Sequence, residues 1–396
     1  MQSSLFRTAL VLALMSMVGP FAIDMFLPAL PAIAGDLRVA EPVAQNTITF
    51  YFLAFGVSQL VYGPVSDMVG RKAPIFAGLA IFAAGSVWAG LAGSIEALVA
   101  ARFVQGIGGA AVMVIPRAII RDMYTGHEAT RLMSLIMLVI SVSPMLAPLA
   151  GSGVIALVGW RGVFVFMALA SVACIAMAAT LQPETLPADR RVPVNLRALW
   201  AGARTLMRSG PFLGLTLIGA FGMASFFVFI SFAPFVYVET FGLTPTQFSL
   251  FFAINAGGFF GASQLAGPLG QRFTARRVML WGTLGFAAFT VALFVVGSLG
   301  GATLAAITAF LFMGNGFMGL VIPTSMVMAL EEHGEIAGLA SSLGGTLQML
   351  VGGLAVVAAG PFFDGTALPM LAAIALCATA SVALALVTLR AAPATA

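Results

Sequence analysis

Charge is what this chain of 396 residues has least of: 8% of it is Asp, Glu, Lys or Arg, against about 25% in an average soluble domain. That scarcity, with 61% hydrophobic residues and a mean hydropathy of +1.07, excludes a water-soluble globule. The two cysteines, Cys174 and Cys377, lie far apart in apolar runs and offer neither a disulfide framework nor a metal pair. The two histidines, His127 and His333, sit in short polar stretches and form no ligand set. A Gly-x-x-x-x-Gly-Lys-Ser/Thr loop is missing, which excludes ATP-driven work by that route. No Ser/His/Asp arrangement or dinucleotide fingerprint stands out either, so the chain reads as no enzyme and as needing no cofactor. The pI near 9.6 is no nucleic-acid footprint, because the basic residues are confined to one set of loops.

What the chain has instead is apolar length. About twelve segments reach the roughly 20 residues that a membrane-crossing helix needs: 5–34, 44–66, 73–93, 96–120, 131–158, 161–181, 211–238, 246–268, 277–299, 301–329, 336–360 and 366–390. The fold class is therefore all-α and integral to the membrane, with 44 Gly and 20 Pro suited to helices that pack closely and bend. Ala32-Ile33-Ala34 has the look of a leader cleavage site, but the apolar run before it is too long, and the first span is read as retained. If the N-terminus is cytoplasmic, all of the 18 Lys and Arg but Arg38, Arg102 and Arg161 fall in loops on that side. The positive-inside rule then places both termini in the cytoplasm.

The longest polar stretch, 182–210, divides six spans from six, which gives an N-terminal bundle over 1–181, a linker, and a C-terminal bundle over 211–396. A faint repeat supports two related halves. Gly63-Pro64-Val65, placed in the loop after the second span, recurs 204 positions later as Gly267-Pro268-Leu269, and Lys72 maps onto Arg276. Two pseudo-symmetric six-helix halves with a substrate site at mid-depth is a transporter plan.

One charge inside the first span organises the rest. Between Gly19 and Pro31 the chain reads Gly-Pro-Phe-Ala-Ile-Asp-Met-Phe-Leu-Pro-Ala-Leu-Pro, and Asp24 is ionisable at membrane depth. Such a carboxylate costs roughly 2.5–3.5 kcal/mol and marks a functional position by default, although a bond to a neighbouring helix would also bury it. Pro20, Pro28 and Pro31 bracket it and remove backbone donors, so a kinked span beside a wet cavity is expected. Arg102, within the fourth span, lies within roughly a helical turn of the same depth. For a carboxyl, a nearby cation favours the charged form and loss of water the neutral one. Asp24 is thus the candidate proton-exchanging group and Arg102 its tuner; a structural bond from Arg102 to carbonyls freed near Pro144 and Pro148 is the alternative.

Gly63-Pro-Val-Ser-Asp67-Met-Val-Gly70-Arg71-Lys72 resembles motif A of the major facilitator superfamily, G-x-x-x-D-R-x-G-R-K, with Met68 where that motif has Arg. Arg102-Phe-Val-Gln105-Gly106-Ile-Gly108 resembles motif B. Ser143-Pro144-Met-Leu-Ala147-Pro148-Leu-Ala-Gly151 resembles the antiporter motif C, with Ala147 in place of Gly. Ile23-Asp24-Met25-Phe-Leu-Pro28-Ala-Leu-Pro31 resembles the first-span signature of the Bcr/CflA drug-resistance branch of drug:proton antiporters. The resemblance implies a bacterial-type inner-membrane antiporter that exports amphipathic small-molecule drugs, with the proton as coupling ion and alternating access as mechanism. It also implies a cytoplasmic latch of Asp67, Arg71 and Lys72 against the eleventh span, weakened by Met68. Read without the family, Gly63 and Gly70 are expected to allow a sharp turn and close helix approach, and Asp67 to pair with Arg71. A solvated cluster that only sets topology is the alternative. Substrate-cavity candidates are Met25, Tyr51, Phe227, Asn255 and Asn315, where interhelical packing or hydrogen bonding competes with ligand contact. A small-metabolite carrier and a non-transporting membrane receptor are the other readings. Nothing in the sequence requires more than a monomer.

Overall fold

A computed structural model describes the backbone of residues 2–124, 126–191, 193, 195–331, 333 and 336–391. The side chains of Arg7, His127, Arg131 and Arg390, used above for topology or ligand sets, lie outside the described ones. Among the described residues every regular element is helical. Among the described residues eleven helices are long and apolar enough to cross a membrane. The fifth predicted span falls in a further helix of 33 residues, Gly126–Val158, which at about 1.5 Å per residue also exceeds the bilayer core.

The chain forms two compact units, Met1–Asn195 and Leu196–Ala396. The boundary falls inside the polar stretch 182–210, and the amphipathic part of that stretch is the helix Leu196–Arg208 of the second unit.

In the first unit the helices are α1 (Gln2–Asp24), α2 (Leu30–Asp36), α3 (Glu41–Val69), α4 (Lys72–Leu91), α5 (Ile95–Met123), α6 (Gly126–Val158) and α7 (Trp160–Leu181). The first span is interrupted between α1 and α2 by Met25, Phe26 and a 3₁₀ turn over Leu27–Ala29. The cause is local: Pro28 has no N–H to give the carbonyl of Asp24, and Pro31 none for Leu27. Helix α5 packs against α3 and α4, α4 against α7, and α1 against α5, α6 and α7.

The second unit holds α8 (Leu196–Arg208), α9 (Gly210–Phe235), α10 (Pro245–Ser263), α11 (Ala266–Phe273), α12 (Ala275–Val296), α13 (Leu304–Glu331), α14 (Ala337–Ala359) and α15 (Ala367–Ala391). The eighth predicted span is two helices, α10 and α11, that break at Gln264–Leu265. Packing repeats the plan of the first unit: α13 lies on α10 and α12, α12 on α15, and α9 on α13, α14 and α15.

Candidate functional site

Asp24 is the last residue of α1 and is 4% exposed. Among the described residues no hydrogen bond or ion pair reaches its carboxylate. The break that follows it is covered by α6. A Cβ on Gly151 would collide with the carbonyl oxygen of Met25, so only glycine lets α6 lie this close to the interrupted chain. Pro144 and Pro148 are interior to α6 and buried, and the Ser152 hydroxyl donates to the carbonyl of Pro148 at 2.9 Å. Motif C therefore seats the α1 break.

Arg102 is fully buried in α5 and makes no ion pair with Asp24. Its guanidinium carbon lies over two rings, 4.6 Å from the centroid of Phe26 and 4.3 Å from that of Tyr51. Nη1 donates to Oε1 of Gln105, one turn along the same helix. The Gln105 amide in turn donates to Ser86 Oγ at 2.7 Å and to Met167 Sδ at 3.4 Å, which ties the arginine to α4 and α7. Nε and Nη2 have no hydrogen-bond partner among the described residues. Among the described residues neither an ion pair with Asp24 nor a bond to the carbonyls near Pro144 and Pro148 holds Arg102, which corrects the expectation of a structural bond to those carbonyls. Aromatic faces carry negative potential, and desolvated they can hold a cation by about 2 kcal/mol.

Tyr51 is the hinge of the arrangement. Its hydroxyl donates to the carbonyl of Gly19 in α1 at 3.3 Å, and its ring stacks on Phe55 and lies under the guanidinium of Arg102. Gly106 makes room for it, since a Cβ there would lie 2.5 Å from the Tyr51 carbonyl oxygen. Phe26, which completes the cage, went unread in the sequence. Its only signal is that it follows Asp24 by two positions in a broken helix.

The motif A residues form a second cluster, in the turn from α3 to α4. Arg71 donates to Asp67 at 2.5 Å, to Ser66 Oγ at 2.8 Å, and to both carboxylate oxygens of Asp122 at 2.7 and 3.1 Å. Burial works against the Arg71 charge, but bonds from Asp122 and Asp67 outweigh it and raise its pKa above the ordinary arginine value. Glu184, in the segment after α7, accepts from the backbone N–H of Arg71 (2.9 Å), Lys72 (3.1 Å), Thr185 (2.9 Å) and Leu186 (3.0 Å). It thereby caps the N-terminus of α4, where a negative charge is favoured. Gly70 is required twice over: its φ is +98°, and a Cβ would lie 2.6 Å from Glu184 Oε2. Lys72 reaches the carbonyl of Ala179 at 3.4 Å. Gly63 is a correction. It lies inside α3, not in a loop, and a Cβ there would meet open space, so it serves neither a turn nor a close approach.

The other cavity candidates are packed side chains. Met25 is buried under Gly151, and the Phe227 ring occupies the space beside Gly352 of α14. Asn255 is buried and donates back to Phe251 of its own helix at 3.0 Å, while its Oδ1 has no partner among the described residues. Asn315 is buried in α13.

A chain of membrane-crossing helices in two like-built units, with its first span broken at a buried carboxylate, has the build of a multi-pass transporter. It belongs to the Major Facilitator Superfamily, whose family model matches residues 12–356. It is 32% identical to the MFS-type transporter YdgK of Bacillus subtilis, over 91% of this chain and 90% of that one. It is 30% identical to a bicyclomycin resistance protein homolog of Haemophilus influenzae, over 96% of each chain, and 30% identical to multidrug resistance protein D of Escherichia coli, over 87% and 86%. Among solved structures, a D-xylose-proton symporter shares the fold at a TM-score of 0.75 with 17% identity, over 98% of both chains.

Proposed function

We propose that this protein exports amphipathic small-molecule drugs across the bacterial cytoplasmic membrane in exchange for protons, as a monomer working by alternating access, with both termini in the cytoplasm. The observation that carries the reading is the buried, unpaired carboxylate of Asp24 at the end of a broken span. A charge at that depth costs roughly 2.5–3.5 kcal/mol, and with no protein donor to offset it a bound proton is the remaining way to neutralise it. A cationic or polar drug reaching the same carboxylate would compete with that proton, which is the exchange an antiporter needs. Arg102, held by rings and Gln105, supplies a fixed positive potential without quenching Asp24. Relatives named for bicyclomycin resistance and multidrug resistance support a drug as the cargo. The loop bias of Lys and Arg supports the orientation.

The test is a susceptibility panel in an efflux-deficient bacterium expressing the wild type or Asp24→Asn at equal membrane levels, with chloramphenicol-type, bicyclomycin-type and cationic-dye compounds. Resistance that the wild type confers and the variant loses is the expected result. Resistance untouched by the substitution moves the proton site elsewhere, and resistance to no compound returns the small-metabolite carrier.

A further inference from the structure

The first unit carries, away from Asp24, a groove of ≈ 630 Å³ on its outer surface. Asn46 and Phe50 of α3 form one wall, Trp88 near the end of α4 another, and one face of α5 from Glu96 through Phe103 to Val104 the third. Most of a transporter's lipid-facing surface needs no occupant but lipid, and the second unit shows such a case. Its ≈ 380 Å³ groove between α10, α11 and α13 is lined only by Gly, Ala, Leu, Met and Phe.

The α3–α5 groove differs in two independent ways. Phe50, Trp88 and Phe103 are 40%, 45% and 41% exposed, so three aromatic rings stand open around one concavity. Glu96 supplies a solvent-exposed carboxylate and is the only charged residue of the lining. Aromatic faces and a carboxylate attract the same kind of ligand, a cation.

Depth gives the rest of the ligand. Glu96 is the second residue of α5 and stands at the membrane boundary, whereas Val104 lies eight residues further in, about 12 Å at the helical rise. The charge belongs at the rim and an apolar body of about that length below it. No Lys, Arg or His lines the groove, so a phosphate placed here would face Glu96 without a counter-charge. That argues against a zwitterionic phospholipid as the occupant. We infer that this groove is a binding site for lipophilic monocations, which lodge an aromatic or aliphatic body among Phe50, Trp88 and Phe103 and place their charge beside Glu96. The site goes beyond the export reading, because binding here requires neither transport nor Asp24.

The test is equilibrium binding of tetraphenylphosphonium to the purified full chain in neutral detergent. Wild type is compared with Glu96→Gln, Glu96→Asp and Trp88→Leu, each also in an Asp24→Asn background, so that any cation held at Asp24 is counted apart. Glu96→Gln is expected to weaken binding about tenfold and Trp88→Leu several-fold, in line with a carboxylate and an open ring each holding a cation. Glu96→Asp, which keeps the charge, is expected to retain binding, and neutral triphenylphosphine oxide should be indifferent to Glu96→Gln. The inference is overturned if Glu96→Gln and Trp88→Leu bind as their parents do in both backgrounds, or if no cation binding remains in the Asp24→Asn background. Displacement of the cation by phosphatidylethanolamine, or equal binding of tetraphenylborate, would overturn it as well.

Discussion

The guanidinium carbon of Arg102 in α5 lies over the ring of Tyr51 in α3, 4.3 Å from its centroid, and that contact, with a second over the ring of Phe26, takes the place of an ion pair with Asp24. The distinction matters for a membrane carboxylate. An arginine paired to Asp24 would hold it charged, whereas an arginine held by rings leaves it to exchange a proton. The cage also joins three helices, because Tyr51 bonds the backbone of α1 while its ring bears on α5.

Tyr51→Phe should keep the cage and lose only the bond to the Gly19 carbonyl, a change of about 0.5–1.5 kcal/mol. Tyr51→Leu should cost about 2 kcal/mol more, because a buried guanidinium loses one of its two aromatic faces. Thermal unfolding in detergent compares the two. Equal stability would mean that the ring does not hold Arg102.

Gly151→Ala places a methyl group against the Met25 carbonyl oxygen, an atom of the backbone that cannot rotate away. Overpacking of this kind costs about 1–3 kcal/mol and should displace the α1 break, with loss of transport. Gly153→Ala, on the same helix with open space around it, is the control and should behave as wild type.

Glu184 gives the stability a dependence on pH. Burial favours its neutral form, but four backbone N–H bonds outweigh that, and its pKa lies below the ordinary glutamate value. Its contribution is therefore fully present above the unfolded value of about 4.3 and is lost as pH falls through the depressed folded one. Glu184→Gln should unfold earlier than wild type at neutral pH, and the gap should close in acid. A gap independent of pH would show that the charge is not what caps α4.

Thr274 stands 204 positions after Gly70, at the turn between α11 and α12, and repeats its backbone: φ 73° and ψ 143°, against 98° and 170° at Gly70. That region is nearly closed to residues with a Cβ and costs them about 1–3 kcal/mol. The Thr274 side chain is exposed and makes no capping bond. Thr274→Gly should therefore raise stability by about 1 kcal/mol after glycine's own entropy cost. Gly70→Thr should destabilise, since Glu184 occupies the space.

Much of this molecule can be read from local chemistry. Apolar length sets the spans, proline sets the break after Asp24, and the 204-residue echo announces two related units, because these depend on neighbours along the chain. Asp24 and Arg102 are conspicuous as charges where charge is expensive. The same local reading misplaced Gly63, which continues a helix despite Pro64 beside it, and left open for Tyr51 the choice between ligand contact and the helix-joining bond that it makes. It could not show that Arg102 would choose Phe26 and Tyr51, that Gly151 would lie on Met25, or that Glu184 would cap a helix begun 112 residues earlier. Those outcomes depend on which helices pack together and how closely. Spacing along one helix selects a face, and only tertiary packing decides what that face meets.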